Sequence, residues 1–132
     1  MSQANVEMVR KALAAFKSGG MDAVLAFYAP DVVCYAVSEW LEDPVYRGHE
    51  GALRLTAWTD NFDDVAFEAN EIREVPEQVV VLAELTGQIK DSGVPIRQAF
   101  GVVYSDFRDG VIGEVRYFTS WQQALEAVGL EE

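Results

Sequence analysis

The chain has 132 residues, half of them apolar and 24% charged, with 22 acidic side chains against 10 basic ones and a net charge of −12. That balance disfavours nucleic acid and anionic membranes, which recruit proteins through Lys and Arg, while the apolar content is too high for a disordered acidic tail. One cysteine, Cys34, and one histidine, His49, exclude an internal disulfide and a Cys/His zinc site, so an oxidising compartment is not called for; a carboxylate metal site stays open, without EF-hand spacing or a paired-His motif to mark it.

Taken in order, the first segment reads as a helix. Val6, Val9, Leu13 and Phe16 recur at three- and four-residue spacing. Asn5 is the expected N-cap, and Gly19-Gly20 closes the helix. A second short helix is expected over Met21 to Tyr28, stopped by Pro30. The polar start, Met1 to Glu7, lacks the apolar core of a signal peptide.

Val32 to Val37 is rich in β-branched and aromatic residues and predicts a strand. Ser38 to Gly48 predicts a loop that carries Trp40, Asp43-Pro44 and Tyr46. His49 to Phe62 returns to helical spacing through Ala52, Leu53, Leu55, Trp58 and Phe62.

From Val65 the pattern is β. Strands are expected over Val65 to Glu74, Val79 to Lys90, Pro95 to Arg108 and Val111 to Thr119. They are separated by Val75-Pro76-Glu77-Gln78, Asp91-Ser92-Gly93 and Asp109-Gly110, the last suited to a type I′ hairpin. Ser120-Trp121-Gln122-Gln123 fits a capping box for a short final helix that ends at Gly129. No apolar run approaches the roughly 18 residues of a membrane span. A single domain over residues 1–132 is expected, in the cytoplasm.

Helices followed by a run of antiparallel strands indicate an α+β fold. At this point the chain resembles the SnoaL-like branch of the NTF2-like (cystatin-like cone) superfamily. The resembling residues are Asn5 to Arg10, Gly19 to Ala23, Tyr46 to Gly51, Arg108 to Ile112 and Ala124 to Leu130. The resemblance implies a cone: a curved mixed sheet with helices packed on its concave face and a small apolar molecule held inside. It also implies a homodimer formed through the open sheet face. The superfamily contains isomerases, cyclases, dehydratases, hydrolases and non-catalytic domains, so residues must decide the function.

By that resemblance the pocket face carries Val115, Tyr117 and Thr119 on the last strand. On the preceding strand it carries Arg97, Ala99, Gly101, Val103, Ser105 and Phe107, and on the first strand Cys34 and Ala36. The acid/base set of a steroid isomerase aligns with Ala36, Ala12 and Val103, and the last-strand acid of an epoxide hydrolase with Tyr117. Neither set is present.

Three other residues are candidate catalysts. His49 is the chain's one imidazole, the side-chain type best suited to proton transfer, against the alternative of a helix-start surface residue. Asp43 lies in the aromatic loop, against a turn role before Pro44. Glu84 stands mid-strand, against a solvated or dimer-facing position.

Candidate substrate contacts are Tyr117, Trp40, Trp58, Arg97, Val103, Val115 and Thr119. For Trp58 the alternative is core packing, and for Arg97 a strand-end surface position. Cys34 reads as a small buried hydrophobe. Together these readings give a binder of a small apolar cyclic or polyketide-like molecule, or a cofactor-free acid/base enzyme acting on one. The alternative is a non-catalytic ligand-binding or dimerisation domain.

Overall fold

The structure, a computed structural model, describes residues 2–37 and 45–130. Helix α1 (Ser2–Val24) is bent at Gly20, whose φ of 72° and ψ of −165° are non-helical. The break expected at Gly19-Gly20 therefore occurs, and glycine is what makes that φ inexpensive. The helix begins three residues before Asn5, which lies inside it instead of capping it.

The second helix is shorter than expected. After Val24 only a 3-10 turn, Leu25–Phe27, remains, and strand β1 (Tyr28–Val37) has already begun at Tyr28. Pro30 thus sits inside the strand and does not terminate the helix.

Three residues of the expected loop form a short strand, β2 (Val45–Arg47), antiparallel to β1 with Cys34 opposite Tyr46. Helix α2 (Gly48–Thr56) is also shorter than its apolar spacing predicts. It tightens into a 3-10 turn, Ala57–Asn61, and Phe62 opens the next strand.

The four β-strands that follow match the expected turns closely. They are β3 (Phe62–Val75), β4 (Gln78–Ile89), β5 (Pro95–Arg108) and β6 (Val111–Phe118). Asp109 and Gly110 both take positive φ, 50° and 79°, as a type I′ turn requires.

The sheet runs β2-β1-β6-β5-β4-β3 and is mixed, because β1 and β6 are parallel while every other pair is antiparallel. Both faces are covered. On one face Val9, Ala12 and Val24 of α1 and Ala52 and Leu55 of α2 bury Cys34, Ala36, Val79, Val81, Ala83, Val102, Tyr104, Ile112 and Val115. This is the core face of the cone.

Helix α3 (Trp121–Ala127) lies on the other face, where Ala124 and Leu125 meet Val80, Leu82, Val103 and Phe118. Seven residues are too few for an isolated helix in water, so tertiary contacts must hold it. Ser120 Oγ accepts from the Gln123 N–H at 3.2 Å, and the Trp121 Nε1–H donates to the Ala83 carbonyl at 2.9 Å.

Alternation is interrupted near the β5–β6 turn. Asp106 has a φ of 54°, and Gly113 packs so closely that a Cβ there would come within 2.8 Å of the Asp106 carbonyl oxygen. The irregularity returns Phe107 and Ile112, which are register partners, to the core face together.

Candidate functional site

Between α1, the 3-10 turn after α2 and the core face of the sheet lies a cavity of about 330 Å³. That is at the lower end of the roughly 300–1,000 Å³ typical of small-molecule sites. Five aromatic rings form a continuous belt in its wall. Phe16 meets Phe67 edge-on with centroids 6.2 Å apart, and Phe67 meets Phe100 at 6.3 Å. Phe100 then meets Trp58 at 6.0 Å, and Trp58 meets Phe62 edge-on at 5.8 Å. Ala12, Leu13, Met21, Val24, Ala36, Leu55, Leu85 and Phe118 complete the apolar wall.

The polar groups on the wall are neutral. Among the described residues it contains Tyr28, Tyr104, Tyr117, Thr56, Thr59, Asn61 and Thr119, and no Asp, Glu, His, Lys or Arg. Burial pushes the hydroxyls of Tyr28, Tyr104 and Tyr117 above the ordinary tyrosine range. Tyr28 and Tyr117 bear on each other's ionisation, Tyr117 opposing that of Tyr28 and Tyr28 partly offsetting the effect of burial on Tyr117. At any ordinary pH all three rings are protonated donors. Among the described residues no three His, Cys, Asp or Glu side chains gather as metal ligands.

Cys34 lies behind the tyrosines, fully buried, and its burial pushes the thiol up to about 12. A thiol so desolvated is no nucleophile near neutrality. It does make the fold sensitive to alkali. The unfolded chain loses this proton near its ordinary value of 9.0 while the folded chain keeps it to about 12, so stability falls as pH rises through that window. The thiol alone should remove about 2 kcal/mol at about pH 10.5. Denaturant unfolding at several alkaline pH values should show a shallower decline for Cys34→Ala than for the parent; equal slopes would refute this.

The structure brings together only part of the expected site. Trp58, Tyr117 and Thr119 line the cavity. Val115 has the expected facing but lies in the core beneath it, fully buried. Asp43 and Trp40 lie outside the described residues.

Glu84, Arg97 and Val103 are corrections. On β4 the core face carries Val79, Val81, Ala83 and Leu85, so Glu84 points the other way. There it reaches the mostly exposed Arg97, with Arg97 Nη1 3.7 Å from Glu84 Oε2. Val103 is buried against α3. The β5 list was one residue out of register up to the irregularity at Asp106: Phe100, Val102 and Tyr104 face the core while Arg97, Gly101 and Val103 face away, and beyond it Phe107 has the expected facing.

His49 is also a correction. Its ring is outside the cavity wall, and Nε2 is 2.9 Å from the Tyr28 carbonyl oxygen. A carbonyl only accepts, so Nε2 carries the proton and ties α2 to the start of β1. His49→Ala should cost about 1 kcal/mol in unfolding free energy while leaving affinity for a cavity ligand within about twofold. A loss of affinity without a loss of stability would reverse that assignment.

Sequence reasoning missed Tyr28, Tyr104, Phe16, Phe67 and Phe100. The signal for two of them was available: Phe100, Val102 and Tyr104 are the large apolar set of β5, opposed to the small and charged set Arg97, Ala99, Gly101 and Ser105.

This arrangement, an α+β cone with an aromatic cavity between its helices and its sheet, is an NTF2-like fold. The chain belongs to the SnoaL-like domain family, whose model matches residues 9–115.

Solved structures agree on the fold. An NTF2-like protein from Burkholderia xenovorans is 21% identical, with 98% of each chain covered and a TM-score of 0.69. A protein with a ketosteroid isomerase-like fold from Catenulispora acidiphila, in complex with trimethylamine, is 20% identical over 94% of this chain and 93% of that one, with a TM-score of 0.70. TerC, co-crystallised with polyporic acid, is 18% identical over 95% of this chain and 97% of that one, with a TM-score of 0.74. At these identities the likeness establishes the fold alone. No protein with a curated description matches the chain.

Proposed function

We propose that this protein binds a small, neutral, largely apolar molecule, cyclic or polyketide-like, in the cavity beneath α1. The observation that carries this reading is the wall itself: nine aromatic rings with no carboxylate, imidazole or cationic side chain among the described residues. Burying a charged ligand there would leave its charge unpaired, which costs far more than a neutral ligand of similar size. The small molecules held by two structural relatives, trimethylamine and polyporic acid, support a ligand-binding use of the fold.

Acid/base catalysis at His49 or Glu84 loses its footing, because neither side chain is on the wall. The reading proposed is therefore ligand binding in this cavity, with no part for His49 or Glu84. The whole chain, residues 1–132, acts as one domain in this reading, and homodimerisation, taken from the family resemblance, is read by sedimentation velocity.

Titration with a neutral naphthalene probe tests the binding. Trp58 lies on the wall, so the probe should quench its fluorescence, and Trp58→Phe should remove that quenching while calorimetry still reports binding. A cavity-filling Ala36→Phe variant should lose the probe. Binding undiminished in the filled variant would place the ligand elsewhere and overturn the reading.

A further inference from the structure

A second hollow, a groove of about 820 Å³, is walled by the end of α1, the end of α2 with its 3-10 turn, and the start of β3. It is continuous with the cavity. Phe16, Met21, Thr56, Thr59 and Phe62 line both, so these five side chains form the threshold between them. Burial grades across it. Ala12, Val24 and Leu55 on the cavity side are buried, and the five shared residues are half-buried. Asp22, Arg54, Asp60, Asp63, Asp64 and Lys90 on the groove side are exposed. The chemistry grades with the burial, from apolar through mixed to charged.

The bend in α1 builds one side of this threshold. Residues five apart in an unbroken helix point about 140° apart. Phe16 and Met21 both reach the threshold because Gly20 redirects the chain between them. The other side is held by its own hydroxyls. Thr59 Oγ1 donates to the Thr56 carbonyl at 2.8 Å, and Thr56 Oγ1 donates to the Ala52 carbonyl at 3.1 Å. Both oxygens can still accept a hydrogen bond.

From this continuity we infer that the groove is the outer half of the binding site and that the protein takes an amphiphile. Its apolar ring occupies the cavity, and an uncharged hydrophilic tail of hydroxyl, ether or amide groups passes Met21 and Thr59 into the groove. This rests on the binding reading above and extends it from a ring to a ring with a tail. An apolar tail would leave its surface against hydrated, charged walls, and a polar ring would lose its water on entering the cavity. Charges of both signs on the groove wall favour a tail without net charge, since a charged one meets like charges there.

Calorimetry of the full chain with naphthalene, and with naphthalene carrying a tri(ethylene glycol) tail, tests the fit. The tailed compound should bind within about threefold of the bare ring, because its tail stays hydrated in the groove and little is lost in ordering it. Loss of binding on adding the tail, with the bare ring still bound, overturns the inference and leaves the cavity reading intact. Failure of naphthalene itself to bind overturns the cavity reading.

The course of the tail is read by ending it in a maleimide. Asp60→Cys and Ala57→Cys each put an exposed thiol on the groove wall and not on the cavity wall. Glu74→Cys puts one near the other end of β3, roughly 35 Å from Phe62 by strand rise. Cys34 is fully buried with its thiol pushed up to about 12, so it does not compete. Either groove thiol should be alkylated at least about tenfold faster than Glu74→Cys, because the bound ring concentrates the maleimide there. Excess naphthalene should remove that difference. Equal rates at the groove and at Glu74→Cys, or a difference that naphthalene leaves in place, overturns the inference.

Discussion

Gly101→Val is expected to destabilise the protein by about 3 kcal/mol, in line with forced overpacking of a tight contact. Gly101 lies on β5 under α3, where a Cβ would overlap the Ala124 methyl and come within 3.2 Å of the Ser120 carbonyl oxygen. Neither neighbour is the free end of a flexible side chain. The helix must therefore lift, uncovering Leu125, Phe118 and Val103 and breaking the Trp121 Nε1–Ala83 bond.

Gly101→Ala should show the same effect at smaller size, about 1–2 kcal/mol. Ala124→Gly costs about 1 kcal/mol alone, as glycine does inside a helix, but should partly restore Gly101→Ala. Denaturant melts of the four proteins give the coupling, expected to exceed about 0.5 kcal/mol for groups in contact. A Gly101→Val protein within about 1 kcal/mol of the parent would refute the close approach.

Turns and breaks were the most legible features of the sequence. Asp109-Gly110, Asp91-Ser92-Gly93 and Gly20 carry their geometry in their own residue types, so β4, β5 and β6 begin and end almost where the sequence places them. The two long apolar stretches were less legible. Spacing alone extends α2 to Phe62, but tertiary packing ends the α-helix at Thr56 and sets Trp58 between Phe62 and Phe100.

Facing was hardest where the sheet is covered on both sides. Val79 to Ala83 is apolar at every position because α1 packs beneath it and α3 above it, so alternation cannot say which residues meet the cavity. On β5 the size contrast between Phe100, Val102 and Tyr104 and their neighbours held the answer. A register taken from resemblance overrode it and displaced Arg97 and Val103 to the wrong face. The tyrosine cluster was hidden for another reason: Tyr28, Tyr104 and Tyr117 come from three strands, and only the parallel β1–β6 pairing brings them together.

Ala36→Asp is expected to have the larger pH-dependent effect. Ala36 is 7% exposed, lines the cavity and lies opposite Tyr117 in the β1–β6 register. A carboxyl there has space, but no Lys, Arg or His on the described wall pairs with it. Desolvation of that order raises a buried carboxyl by about 3 pH units, equivalent to about 4 kcal/mol once the unfolded chain is ionised.

The sign follows from where the proton sits. Below about pH 4 the acid is protonated in both states and the cost is small. As pH rises past the ordinary Asp value, the unfolded state releases its proton while the folded state holds it, so stability falls until the folded group also ionises, near neutrality. The nearby tyrosine hydroxyls soften the loss if they donate to the new carboxylate, which makes Tyr117→Phe in the same background a further destabilisation. Ala36→Asn, similar in shape and without a titration, should show a loss that is flat with pH. Urea melts at about pH 4.5 and pH 7.5 separate the two variants. An Ala36→Asp protein whose stability does not fall across that interval would mean that the position is wet, and that the cavity is not the dry, neutral site its lining describes.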